Sequence, residues 1–106
     1  MNEEYLTLRK KIIKVLQESN QPLNKEEILE ILNIDIKKRG DIRVYEHLRH
    51  IAKTISKGQK QLIMIPPRCK NCGYIFRQVR KIKEPSRCPK CKSERIEPPK
   101  FKIIEL

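Results

Sequence analysis

Cys69-Lys-Asn-Cys72 and Cys88-Pro-Lys-Cys91 contain the four cysteines of this 106-residue chain, and fifteen residues separate the two pairs. A C-x-x-C turn aims two sulfurs at one point, and two such turns at this spacing make a tetrahedral set of thiolates for zinc. Gly73 suits the first turn, because the residue after such a pair often needs a positive φ that glycine takes without penalty. The expected ligands are Cys69, Cys72, Cys88 and Cys91, around one structural Zn²⁺. Four thiolates and a divalent ion sum to a charge of about −2, which Lys70, Lys90 and Lys92 are placed to offset. A closed shell of four sulfurs leaves no position for water, so catalysis at the metal is not expected and the chain is read as a non-enzyme. Iron is the rival ion, since tetrahedral sulfur coordination does not by itself separate the two metals. Scarce aromatic packing and basic surroundings weigh against it. A thioredoxin-type dithiol fits less well, because two pairs are present and neither opens a helix.

The segment that must position these sulfurs is poor in core material. Between Pro67 and Pro99 the large apolar side chains are Tyr74, Ile75, Phe76, Val79, Ile82 and Ile96. So small a set needs a metal or disulfides to hold a fold. The chain opens on Met1-Asn-Glu-Glu-Tyr5 rather than on a secretory apolar core, and no stretch approaches the ~20 apolar residues of a membrane span. A soluble, cytoplasmic protein with reduced, metal-bound thiols and no membrane partner is expected.

Charge divides the chain unevenly. The formal total is +12, yet residues 1–33 carry five Lys/Arg against six Glu. Residues 34–68 and 69–99 each carry nine Lys/Arg against three acidic residues. A near-neutral first third followed by a basic remainder points to a polyanionic partner, double-stranded DNA first among them. The alternative is the Lys- and Ile-rich composition of heat-adapted proteins, where charge serves ion pairing and solubility.

Apolar spacing supplies the scaffold. Tyr5, Leu8, Ile12, Val15 and Leu16 form the stripe of a first helix, which Asn20-Gln21-Pro22 stops. Asn24 with Glu27 is a capping box for a short second helix whose buried side is Ile28, Leu29, Ile31 and Leu32. Pro22-Leu23 between them suits a brief extended segment. Residues 33–40 are expected to be a connection, with Asp41 capping a third helix to about Lys57 and Gly58 as its C′ residue. Its stripe is Val44, Tyr45, Leu48, Ile51, Ala52 and Ile55. Residues 61–65 and 100–106 are predicted strands, bounded by Pro66-Pro67 and Pro98-Pro99. A short strand needs a partner, so the two are expected to pair antiparallel, with the cysteine segment as their connection. The fold class is α+β: three helices and a β-hairpin wing, the winged helix-turn-helix order, with the zinc ribbon inserted in the wing. The domains are then 1–66, completed by strand 100–106, and 67–99. A tandem layout, with 100–106 as a ribbon strand, is the competing arrangement.

A third helix in this order enters the major groove, and Arg43, His47, His50, Lys53 and Lys57 are expected on its open face. Glu46 there would oppose phosphate, and no Asn or Gln is placed to read adenine, which favours non-specific or shape-led binding. Lys37, Lys38 and Arg39, just before the helix, sit where such proteins touch the DNA backbone. The stretch Arg77-Gln-Val-Arg80-Lys81-Ile-Lys83 is either a solvated loop or a phosphate-tracking extension of the wing.

Three blocks carry a family likeness: Val44-Tyr45-Glu46-His47-Leu48-x-His50-Ile51-Ala52-Lys53, Pro67-Arg68-Cys69-x-x-Cys72-Gly73-Tyr74-x-Phe76, and Pro85-Ser86-Arg87-Cys88-Pro89-Lys90-Cys91-Lys92-Ser93-Glu94-x-Ile96. Through them the chain resembles archaeal predicted transcriptional regulators that fuse a winged helix-turn-helix to a rubredoxin-like zinc ribbon. The resemblance implies a ribbon that interrupts the wing and a DNA-binding role. Two alternatives stay open: a protein–protein adaptor of the transcription machinery that does not bind DNA, and a rubredoxin-like iron electron carrier, suggested by Cys72-Gly73-Tyr74 with Cys88-Pro89-x-Cys91.

Overall fold

Helix α1 (Glu3–Glu18) forms because Leu8, Ile12, Val15 and Leu16 recur on one face, and it buries Ile12 and Leu16 completely. The computed structural model describes residues 3–55, 58–77 and 82–106. The side chain of Tyr5, expected on the α1 stripe, lies outside the described set. The last turn of α1 has no basic residue of its own, and Lys102 from the last strand donates to the Ser19 carbonyl there. That places a cation at the negative end of the helix dipole.

Helix α2 (Lys25–Ile31) starts on the expected capping box. The Asn24 side chain accepts from the Glu27 N–H at 2.8 Å, and the Glu27 carboxylate accepts from the Asn24 N–H at 2.9 Å. Ile28 and Leu29 are buried, but Ile31, expected beside them, is 56% exposed. Leu32 caps the helix, and Asn33 beyond it has a φ of 57° that lets the Ile34 N–H turn back to the Leu29 carbonyl. Asparagine tolerates that left-handed geometry better than most residues.

The expected start of the third helix is corrected. Asp35, not Asp41, captures a free amide, accepting from Lys37 N–H, and a 3-10 helix runs from Ile36 to Asp41. Ile42-Arg43 is a short link, and helix α3 (Val44–Ile55) follows. Residues 56 and 57, to which the helix was expected to extend, lie outside the described residues. Its buried line is Val44, His47, Leu48 and Ile51.

Strands β1 (Lys60–Ile65) and β4 (Lys100–Glu105) pair antiparallel, with Lys60 opposite Glu105 and Ile65 opposite Lys100. Leu23 bridges Phe101 through two backbone hydrogen bonds of 2.7 and 2.8 Å, the brief extended segment expected there. β4 alternates, with Phe101 and Ile103 facing the helices, and the Tyr45 ring meets Phe101 edge-on at 6.1 Å. Each such buried side chain contributes about 2–3 kcal/mol of transfer free energy.

A second two-stranded sheet continues beyond the prolines: β2 (Arg68–Cys69) pairs with β3 (Ile96–Glu97). Pro67 and Pro99 are fully buried where the two ladders meet, and lacking an N–H they end the first ladder without orphaning a donor. β4 pairs with β1 and not with β2 or β3, as expected for strands 61–65 and 100–106. The cysteine segment is the connection between β1 and β4.

Candidate metal centre and charged surface

The two cysteine turns are built alike. In the first, Gly73 N–H donates to the Cys69 carbonyl at 2.9 Å and Cys69 N–H to the Tyr74 carbonyl at 2.8 Å. In the second, Lys92 N–H donates to the Cys88 carbonyl at 2.9 Å and Cys88 N–H to the Ser93 carbonyl at 2.8 Å. Each turn passes through a positive φ, 80° at Gly73 and 66° at Lys92. Glycine does this freely, whereas for Lys92 it costs about 1–2 kcal/mol, which the closed site must offset. The second turn's need was not legible, because lysine advertises no such conformation.

The four sulfurs lie within 4.8 Å of one another, with Cys69 Sγ 3.5 Å from Cys91 Sγ and Cys72 Sγ 3.6 Å from Cys88 Sγ. A tetrahedron with metal–sulfur bonds of ~2.3 Å has edges of about 3.8 Å, so this donor set fits one zinc ion. All four expected ligands are brought together. Cys69 and Cys88 are buried, Cys91 is half-buried and Cys72 is exposed. Cys88 Sγ accepts from the backbone N–H of Lys90 at 3.3 Å and of Cys91 at 3.5 Å. Asn71 Nδ2 donates across the gap to Cys91 Sγ at 3.5 Å. That side-chain bond, then the Ser93 backbone N–H, holds the Cys91 thiol down at about 6. Lys70 N–H donates to the Arg95 carbonyl at 2.8 Å, fixing the first turn to the approach of β3. Tyr74 and Phe76 stack edge-on at 5.1 Å beside it.

Between the turns, residues 82–84 reach back to the helices. Ile82 packs against the main core, and Arg49 Nε donates to its carbonyl at 2.9 Å. Glu84 pairs with Lys25 at 3.6 Å, and Lys25 Nζ sits 5.4 Å over the Tyr45 ring. Burial, then the Glu84 and Glu26 carboxylates, push the Tyr45 phenol upward. Arg49 was absent from the expected site residues, because a long-range bond to a backbone carbonyl leaves no mark on local sequence.

The expected DNA-contacting residues divide. Lys37 and Lys38 are exposed on the 3-10 helix, and Arg43, His50 and Lys53 are exposed on α3. Arg43 pairs with Glu46 at 3.6 Å. Arg39 is half-buried, donating to the Ile34 carbonyl at 3.1 Å and meeting Glu26 at 3.5 Å, so it anchors the 3-10 helix. His47 is corrected outright. It is fully buried, and Arg9 Nε donates to its Nδ1 at 3.2 Å, so it cannot face a groove. Lys57 lies outside the described residues, as do Arg80 and Lys81 of the basic stretch, whose Arg77 and Lys83 are exposed. No described Lys or Arg after residue 33 is buried.

A family model described as PF0610-like, N-terminal, matches residues 7–63, and one described as the PF0610 rubredoxin-like zinc beta-ribbon domain matches residues 66–105. The solution NMR structure of protein PF0610 from Pyrococcus furiosus is 35% identical, with a TM-score of 0.78 over 100% of this chain and 96% of that one. No curated protein matches the chain. The family models divide the chain between residues 63 and 66, whereas β4 of the second half pairs with β1, which straddles that boundary.

Proposed function

Since the chain belongs to the PF0610-like family, with its rubredoxin-like zinc β-ribbon, we propose that it is a DNA-binding transcriptional regulator whose zinc is structural. The observation that carries this reading is the distribution of charge. Residues 1–33 are near neutral, and the excess of Lys and Arg that follows stays at least partly exposed wherever it is described. A polyanion lined with phosphates is the partner such a surface attracts.

In this reading α1–α3 and the β1–β4 hairpin act as a winged helix. Residues 1–66 with strand 100–106 form one domain, and 67–99 form a ribbon carried by the wing. Arg43, His50 and Lys53 face the major groove, and Lys37 and Lys38 meet the backbone. With Glu46 engaged by Arg43, the face has few groups for reading bases, so affinity comes from phosphate contacts. Four thiolates around zinc leave no site for substrate, which supports a non-catalytic role. The reading places the protein in the cytoplasm; among the described residues no helix is long and apolar enough to cross a membrane.

The test is fluorescence anisotropy of the zinc-loaded chain on labelled duplex DNA across a salt series. Affinity should fall as salt rises, with a logarithmic slope of about −0.9 per phosphate neutralised. Lys37→Glu with Lys38→Glu should weaken binding about tenfold or more and flatten the slope by about 2. Absence of binding even at low salt would remove DNA and leave the adaptor. One observation favours that second reading: Ile65, Tyr74 and Ile75 are exposed on and beside the ribbon at 42%, 36% and 38%.

A further inference from the structure

The two cysteine turns match in their backbone bonds but differ at the third position, which is Asn71 in the first and Lys90 in the second. Asn71 is exposed, and its amide reaches out of its own turn to Cys91 Sγ of the opposite one at 3.5 Å. Cys91 and Cys72 are the two ligands that solvent can approach, since Cys69 and Cys88 are buried. The amide therefore covers one accessible sulfur from the solvent side and ties together two turns that are otherwise nineteen residues apart at their starts. Asparagine suits the task. Its short side chain has few rotamers to lose, and its planar NH₂ directs two donors without adding charge.

We propose that Asn71 is a positioning residue for the zinc site, holding Cys91 in the coordination sphere and drawing electron density from its sulfur. A donor to a metal-bound thiolate withdraws charge from the sulfur, which by itself weakens its bond to the metal, so the gain comes from holding Cys91 in place. Outer-shell partners that orient metal ligands typically contribute 10–100-fold to metal affinity. Asn71→Ala removes the donor. Asn71→Asp keeps the shape but sets a carboxylate against the thiolate, so it should weaken the site more than alanine does. Asn71→Gln retains the amide one methylene further out and should recover part of the loss.

The experiment uses the full chain. Zinc affinity is measured by competition with a chromophoric chelator, and Co²⁺-substituted protein reports the sulfur-to-metal charge-transfer band. We expect Asn71→Ala to lose about tenfold in zinc affinity. Its cobalt band should move to lower energy, as the sulfur regains electron density, while the helical circular dichroism is unchanged. An affinity within about twofold of the parent overturns the proposal. So does an affinity loss with an unmoved cobalt band, because a residue that merely shapes its turn would leave the electronics of the sulfur alone.

Discussion

His47 shows what a single side chain can settle. It sits on the line Val44, His47, Leu48, Ile51, and the structure buries all four. Polarity suggested an open face, whereas angular position on the helix assigned the core. That spacing was in the sequence and carried more weight than residue type. Its proton affinity is lowered from the ordinary 6.5, by burial first and then by the Arg9 guanidinium. The unfolded chain therefore binds a proton near pH 6.5 that the folded chain resists. His47 favours the fold fully above that pH, and its contribution is lost as pH falls below it. Denaturant titrations at pH 7.5 and 5.5 should show the parent losing more stability across that interval than His47→Gln. Equal losses would place the pH dependence elsewhere. The cysteines were wholly legible by contrast, because ligand spacing is a local property. Asn71 was not, since its bond crosses between the two turns.

At the scale of elements, features flanked by their own sequence signal are legible, and contacts that leave no local mark are not. The Asn24–Glu27 box and the paired prolines marked α2 and the β1–β4 pairing, because each signal lies within a few residues of the element it defines. The 3-10 helix Ile36–Asp41 lies in a stretch expected to be a plain connection, because Ile36-Lys-Lys-Arg-Gly-Asp41 has no apolar periodicity to mark it. The arm at residues 82–84 has no local signature. It joins the cysteine segment to α2 and α3 through Arg49, Lys25 and Ile82. Cys72→Ser should open the metal site and release this arm, yet leave α1–α3 formed, because Ile12, Leu16, Ile28, Leu48 and Ile51 form a core without the metal. Helical circular dichroism should persist while the thermal midpoint falls. Arg49→Ala should cost about 1 kcal/mol with zinc bound. It should cost much less in Cys72→Ser, where the arm has already left. Full additivity of the two changes would show that the arm does not depend on the metal.

For the whole molecule, charge and closure act together. The chain carries +12 before metal binding, and the filled site lowers this by about two. The exposed lysines and arginines on which the proposed DNA binding rests also repel one another in the compact state. Phe101 and Ile103 on β4 complete the helical core, although 34 residues separate β4 from its partner β1. Joining ends across an open loop of that length costs roughly 3 kcal/mol in chain entropy. A bound zinc ion, holding Cys69 beside Cys88 and Cys91, shortens the free loop before the strands meet. Stopped-flow refolding should accordingly be faster with zinc present than with a chelator, while unfolding of the helical core changes little. Refolding rates independent of zinc would mean that the strands meet before the cysteines do.

The order in which the strands and cysteines occur has a further consequence for synthesis. β1 leaves the ribosome well before β4, and both cysteine turns emerge between them. During that interval the apolar faces of Leu16, Ile28 and Leu48 await Phe101. Metal capture by the nascent chain would bring the missing strand toward its place as it emerges. Zinc supply would then govern how long a sticky, half-built core is exposed to its neighbours in the cell.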